Sequence, residues 1–138
     1  MPHLKIRPYN TRDMHPGETR ITYDNDLCHA IRAGNHVFLR GQVGATLDGA
    51  SVGPGDPAAQ ARQAMQNVKQ LLEEAGSKLD HIVKMTVYVT EWRYREDVYR
   101  VIGEVMRGIH YCSTGVTVTA LARSEWVVEI DAHAVIPD

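Results

Sequence analysis

Two carboxylates, Glu129 and Asp131, alternate with apolar residues near the end of the chain. Successive side chains of a β-strand point to opposite faces of a sheet, so these carboxylates share one face and Val128 and Ile130 share the other. Carboxyl groups are common general acids and bases, which makes a face that carries two of them a candidate site. We predict that the same face also carries His133, Tyr88, Thr86, Thr117 and Thr119.

Other side chains with reactive or metal-binding chemistry are scattered along the chain. Cys112 precedes Ser113, but no neighbouring residue in the sequence supplies the base that a nucleophile needs. The seven histidines lack the H-E-x-x-H pattern and any paired ligand spacing, and Cys28 and Cys112 lack the C-x-x-C spacing. The sequence therefore predicts no metal site and two reduced thiols.

Turn signals predict the elements in the first third of the chain. Gly34 and Asn35 tolerate positive φ angles and separate residues 27–33 from residues 36–40. This pattern predicts a β-hairpin, with room for a further short strand near residues 4–7.

Two helices and three strands are predicted after the Gly- and Pro-rich loop that precedes Pro57. Asp56 can cap a first helix that begins at Pro57, carries apolar residues at helical spacing and ends at Gly76. A half-buried strand, a second helix and two closing strands are predicted over residues 83–89, 94–107, 116–121 and 126–135, respectively. The order β-β-β-α-β-α-β-β predicts an α+β fold, with two helices on one face of a mainly antiparallel sheet, in a single domain over residues 1–138.

Two helices can cover only one face of such a sheet, so the face that carries the carboxylates is either solvated or a subunit interface. Val127 and Tyr88 favour an interface. Carboxylates buried there would need partners, which other subunits or ligands commonly supply. We therefore hypothesise a homo-oligomer with sites between subunits, and the solvated face is the alternative.

The composition excludes several classes of protein. A length of 138 residues with 43% hydrophobic residues provides one ordinary core. The formal net charge of −2 provides no basic excess for nucleic acid or for an anionic membrane. No apolar run approaches the roughly 20 residues of a membrane span, and the first residues lack the apolar stretch of a signal peptide, so we expect a cytoplasmic protein.

Several segments together resemble the Rid (reactive intermediate deaminase) family, also called YjgF. The helix sequence AQARQAMQNVK at residues 59–69, followed by LEEAG at 72–76, is similar to that family's helix signature. The other matching segments are RGQ at residues 40–42, IVKMTVYV at 82–89 and VEIDAHA at 128–134. The resemblance covers about residues 27 to 136.

The resemblance implies a chorismate-mutase-like fold, a homotrimer with three clefts at subunit interfaces, and no metal or organic cofactor. Family members that are deaminases hydrolyse small enamine or imine acids, such as 2-aminoacrylate, to a 2-oxo acid and ammonia. In such enzymes a guanidinium pairs with the substrate carboxylate, and a glutamate on the last strand positions the attacking water. Glu129 matches that glutamate.

The sequence departs from the family pattern at several pocket positions. Ser113 stands where the substrate-binding arginine belongs, and Leu27 replaces the hairpin tyrosine. Tyr99 takes the place of the helix asparagine, and Arg40 replaces the small residue before Gly41, whose backbone borders the family cleft. We hypothesise that Arg40 supplies the missing cation from a new direction.

The candidate site is completed by residues near the predicted cleft. Thr114 and Gly115 can present a hydroxyl and a backbone amide to an anion. Trp92 is expected to pack at the junction of strand and helix, and the alternative is that it forms a wall of the cleft. The predicted substrate-binding residues are Leu27, Arg40, Gly41, Tyr88, Tyr99, Ser113, Thr114 and Gly115, and Glu129 is the predicted catalytic residue.

The leading hypothesis for function is a small-metabolite hydrolase or deaminase that acts on an imine, an enamine or a related C–N bond. Amide or ring hydrolysis would use Glu129 in the same way. The rival class is a non-catalytic trimer that binds a small molecule or regulates a partner, which the missing arginine favours. An endoribonuclease is disfavoured by the net charge and by the absence of a basic aromatic stripe.

Overall fold

The computed structural model describes residues 2–14 and 22–138, which form one six-stranded sheet with helices packed against it. The strands are β1 (Leu4–Asn10), β2 (Asp26–Ala33), β3 (His36–Val43), β4 (Ile82–Val89), β5 (Cys112–Thr117) and β6 (Val128–Val135). The helices are α1 (Thr11–Met14), α2 (Pro57–Glu74) and α3 (Arg95–Val105), and single 3₁₀ turns span Leu79–His81 and Trp92–Tyr94. The predicted α+β fold is confirmed, and the short α1 is an addition to it.

The sheet has the strand order β1-β2-β3-β6-β4-β5. Neighbouring strands are antiparallel except β4 and β5, which are parallel. The hairpin predicted around Gly34 is present as β2 and β3, and the strand predicted near residues 4–7 is present as β1. The last strand in sequence therefore lies in the middle of the sheet, between β3 and β4.

Helix α2 begins and ends as its sequence predicts. The Asp56 side chain accepts a hydrogen bond from the Ala59 amide at 3.1 Å, and Pro57 occupies the first turn. Gly76 follows the helix with φ of 79°, a conformation that glycine adopts without strain. The apolar sides of α2 and α3 pack on one face of the sheet, where the core lies.

Within residues 2–14 and 22–138, no helix has both the length and the hydropathy that a membrane-spanning helix requires.

The two closing strands differ from the sequence prediction. Strand β5 covers Cys112–Thr117 instead of residues 116–121, because its parallel register places Thr117 beside Val89, the last residue of β4. Val89 is fully buried on the helix side, so the prediction that Thr117 shares the carboxylate face is wrong. Strand β6 begins at Val128 instead of residue 126, since the preceding backbone is held by a side chain.

That side chain belongs to Gln60, a fully buried residue of α2. Its Nε2 donates to the carbonyl oxygens of Gly53 at 2.9 Å and Glu125 at 2.7 Å. Its Oε1 accepts from the amide of Val127 at 2.9 Å. Gln60 therefore ties α2 to the loop before it and to the segment that leads into β6.

Candidate functional site

The face of the sheet that the two long helices leave uncovered carries a row of polar side chains across β6 and β4, and we call it the open face. Glu129 pairs with Tyr88, and Asp131 pairs with Thr86. The Tyr88 hydroxyl donates to Asp131 Oδ2 at 3.0 Å, and the Thr86 amide donates to Asp131 Oδ1 at 3.2 Å. These contacts confirm that the carboxylates share a face with Tyr88 and Thr86, and they occupy both oxygens of Asp131.

Glu129 has a different environment from Asp131. A β-bulge between Leu39 and Gln42 brings the Gly41 backbone against the Glu129 carboxylate. A Cβ atom at position 41 would overlap Glu129 Oε2, so this approach requires glycine. Burial, with a smaller contribution from the charge of Asp131, raises the pKa of Glu129 above its ordinary value, while Arg40 opposes the increase.

Arg40 lies on the β2–β3 side of Glu129. Its guanidinium carbon is 5.3 Å from the centroid of the Tyr9 ring. Arg40 and Gly41 line a cleft of about 210 Å³ together with Tyr9, His29 and Trp126. Arg40 therefore borders the backbone that contacts Glu129, and its guanidinium is stacked on Tyr9.

His29 in this cleft makes the fold sensitive to acid. Burial and the charges of Arg40 and Arg7 lower the pKa of His29 from 6.5 to about 4. Below pH 6.5 the unfolded chain binds a proton at His29 and the folded chain does not, so stability falls as the pH decreases from 6.5 towards 4.

We expect about 1–2 kcal/mol of unfolding free energy to be lost between pH 7 and pH 5 through His29, a value reduced from the full linkage for partial exposure of the ring. His29→Gln should remove most of this slope in urea unfolding series at the two pH values. His110→Gln is the control, because His110 is exposed. An unchanged slope in His29→Gln would contradict the assignment.

A second group of predicted site residues lies at the outer edge of the sheet, on β5 and α3. Ser113 and Gly115 pair with the buried Met85 and Val87, so they lie on the helix side of the sheet and not on the open face. The Ser113 hydroxyl is 3.1 Å from the hydroxyl of Tyr99 on α3. We call this region the edge cleft; it has a volume of about 370 Å³ and is lined by Trp92, Arg93, Arg95, Glu96 and Tyr99.

The remaining predicted residues occupy other positions. Thr114 pairs with Thr86 on the open face and accepts a hydrogen bond from Lys84 Nζ. Leu27 lies on β2, where 43% of its surface is exposed, and it pairs with Tyr9 at the far side of the sheet from β5.

Two residues of the edge cleft differ from expectation. Trp92 is 76% exposed, so the expected packing at the junction is wrong, because the 3₁₀ turn directs Tyr94 and not Trp92 towards the core. Arg95 was not among the predicted site residues, yet its guanidinium carbon lies 5.1 Å from the centroid of the Tyr99 ring. The signal that could have identified Arg95 is its spacing of four residues from Tyr99 on one helix face.

The candidate residues thus form two groups in one chain. Glu129 and Gly41 meet on the open face, whereas Ser113, Gly115 and Tyr99 meet at the edge cleft on the other side of the sheet. Among residues 2–14 and 22–138, no group of three or more His, Cys, Asp or Glu side chains is placed to hold a metal ion.

Comparison with known proteins adds sequence and structural relatives to this geometry. Residues 18–136 match the family model described as Endoribonuclease L-PSP. A RutC family protein of Pyrococcus horikoshii is 31% identical over 105 residues, which cover 76% of this chain and 82% of that protein.

Two Escherichia coli proteins are also similar to this chain. A 2-iminobutanoate/2-iminopropanoate deaminase of strain K12 is 45% identical over 61 residues, which cover 44% of this chain and 47% of that protein. The crystal structure of E. coli TdcF with bound serine superposes with a TM-score of 0.75 at 26% identity, covering 82% of this chain and 90% of that chain.

Proposed function

Because this chain belongs to the Rid/YjgF family, whose family model carries the name endoribonuclease L-PSP, we propose that it is a hydrolase that deaminates a small imine or enamine acid. The observation that carries the proposal is Glu129, a half-buried carboxyl group of raised pKa that lies against the bare backbone of Gly41. The similarity to a bacterial imine deaminase supports the same chemistry.

In the proposed reaction, Glu129 accepts a hydrogen bond from a water molecule and directs its oxygen to the imine carbon. As the C–O bond forms, the carboxylate takes a proton from the water and returns it to the nitrogen. The resulting carbinolamine loses ammonia and forms the carbonyl group of a 2-oxo acid, so one water is consumed for each ammonia released. A pKa raised by burial makes Glu129 a stronger base for the first of these steps.

We also propose that the active unit is a homotrimer with its clefts between subunits. The two groups of site residues cannot meet within one chain, because they lie on opposite sides of the sheet. The edge of one subunit placed against the open face of the next would bring them together. Phe38, 47% exposed, and Val116 lie on the open face and give such an interface apolar surface.

Imine hydrolysis can be measured directly. Imines are generated from several amino acids by an amino-acid oxidase in the presence of catalase, and the release of ammonia and 2-oxo acid is followed with and without the protein. We expect release above the uncatalysed rate for at least one amino acid. No acceleration with any imine would exclude this reaction and favour the non-catalytic trimer.

The oligomeric state is tested independently by light scattering at micromolar concentration. We expect a mass three times that of the 15.4 kDa chain. A monomer that still hydrolyses imines would contradict the shared cleft and leave the chemistry intact.

A further inference from the structure

The edge cleft contains one cation whose charge is not balanced within the cleft. Arg93 forms an ion pair with Glu91, and Glu96 forms one with Arg100 at 3.1 Å. In the part of the chain that the structure describes, no carboxylate forms an ion pair with Arg95. A guanidinium is a cation with five hydrogen-bond donors, so Arg95 is the group in this cleft that is suited to an anionic ligand.

Neighbouring residues fix the position of this guanidinium. It stacks on the ring of Tyr99, whose hydroxyl is hydrogen-bonded to Ser113. It also lies over Gly115, where an added Cβ would overlap both Arg95 Nη1 and the Tyr99 hydroxyl. Arg95 therefore lies close to Ser113. The resemblance to the family implies an arginine at position 113, which this sequence lacks.

We propose that Arg95, and not Arg40, binds the carboxylate of the substrate, an inference that rests on the proposed function. A guanidinium can donate two parallel hydrogen bonds to a carboxylate. The Ser113 and Tyr99 hydroxyls are hydrogen-bonded to each other, so one of them keeps a proton that it can donate to the same carboxylate. Helix α3 thus supplies the cation beside Ser113 on β5. The ligand that it binds is a small carboxylic acid.

Position favours Arg95 over Arg40 for this role. Arg40 lies close enough to Glu129 to lower the pKa of that carboxyl group, so its charge acts on the proposed general base. Arg95 lies on the opposite side of the sheet in the same chain. In the proposed trimer it therefore approaches a substrate beside the Glu129 of a neighbouring subunit from a side that Arg40 does not occupy.

The test is a binding measurement that does not depend on turnover. Titration calorimetry with 2-oxobutanoate should show that Arg95→Met weakens binding by about 10- to 100-fold, the loss expected for a charge-assisted pair of hydrogen bonds. Arg95→Lys should fall between wild type and Arg95→Met. Arg107→Met is the control, because Arg107 is exposed beyond the end of α3, and it should bind like wild type.

A neutral probe shows whether charge is the cause. 2-Oxobutanamide should bind wild type and Arg95→Met equally, and wild type should bind it more weakly than the acid. Circular dichroism checks that each variant is folded. The proposal is overturned if Arg95→Met binds the acid like wild type, if Arg40→Met loses binding instead, or if wild type binds the acid no better than the amide.

The outcomes also separate this inference from the proposed function. Glu129→Gln should bind 2-oxobutanoate at least as tightly as wild type. If 2-oxobutanoate binds through Arg95 but no imine is hydrolysed, the proposed function is rejected and the role of Arg95 in binding the carboxylate is kept. If imines are hydrolysed and the KM is unchanged in Arg95→Met, the role of Arg95 in binding the carboxylate is rejected and the proposed function is kept.

Discussion

Glu129→Gln is expected to lower kcat for imine hydrolysis by about 10²- to 10⁴-fold, the usual contribution of a general base. The amide is nearly isosteric with the carboxyl group, so water can still enter the site, but an amide oxygen cannot take its proton. The KM should change little, because the proposed carboxylate anchor lies elsewhere. Steady-state kinetics with the oxidase-generated imines measure both constants.

Stability distinguishes a catalytic role for Glu129 from a structural one. Its pKa is raised in the fold, so the ionised carboxylate opposes folding at any pH above its unfolded value, and this cost is absent in acid. At pH 7 Glu129→Gln should therefore be more stable than wild type, by on the order of 0.5–1 kcal/mol in urea unfolding. Destabilisation together with kcat within tenfold of wild type would show that Glu129 is structural.

Asp131→Asn is the matched control for this experiment. Asp131 lies two residues away on the same face, but its oxygens already accept hydrogen bonds from Tyr88 and Thr86. We expect kcat to fall less than tenfold and stability to decrease, because an amide cannot accept both bonds as well as a carboxylate. An equal loss of kcat in both variants would argue against a specific role for Glu129.

Gln60→Leu is expected to destabilise the protein by about 3–5 kcal/mol, the largest effect on stability that we predict. Leucine fills a similar volume but leaves the carbonyls of Gly53 and Glu125 and the amide of Val127 without their partner. Gln60 itself is fully buried and the Val127 amide bond is buried too, so water does not readily replace the hydrogen bonds that are lost.

Gln66→Leu is the control for this substitution, because Gln66 lies on the exposed side of the same helix, and its effect should stay within about 0.5 kcal/mol. Urea unfolding of both variants is compared at one protein concentration, because assembly contributes to apparent stability. Gln60→Leu should also lower kcat, since the segment that it releases leads directly into β6 and Glu129. Equal stability of the two variants would contradict the role of Gln60.

Most of the fold could be predicted because its signals are local. The cap at Asp56, the glycine at position 76 and the periodicity between them define α2 without reference to the rest of the chain. The end of β5 could not be predicted, because the alternating pattern continues beyond Thr117, whereas the strand stops where its parallel partner β4 stops. Register against a distant strand is not a local property.

The candidate site was predictable to a similar extent. Alternation placed Glu129 and Asp131 on one face, but it could not show that Asp131 is occupied by its neighbours and Glu129 is not held in the same way. Arg95 was missed because its relation to Ser113 and Gly115 exists only once α3 packs beside β5. The exposure of Trp92 was missed because the sequence pattern did not indicate the 3₁₀ turn that directs Tyr94 towards the core.

Glu129 lies on a central strand, held by the bulge at Gly41, whereas Arg95 lies on a peripheral helix. Under the roles proposed for these two residues, mutations at the periphery change which acid is recognised without moving the group that activates water. In a lineage with this arrangement, a carboxylate-binding arginine on β5 can be replaced by one on α3 while the reaction itself is inherited unchanged. Diversity of substrates among descendants of one ancestor is the expected evolutionary result.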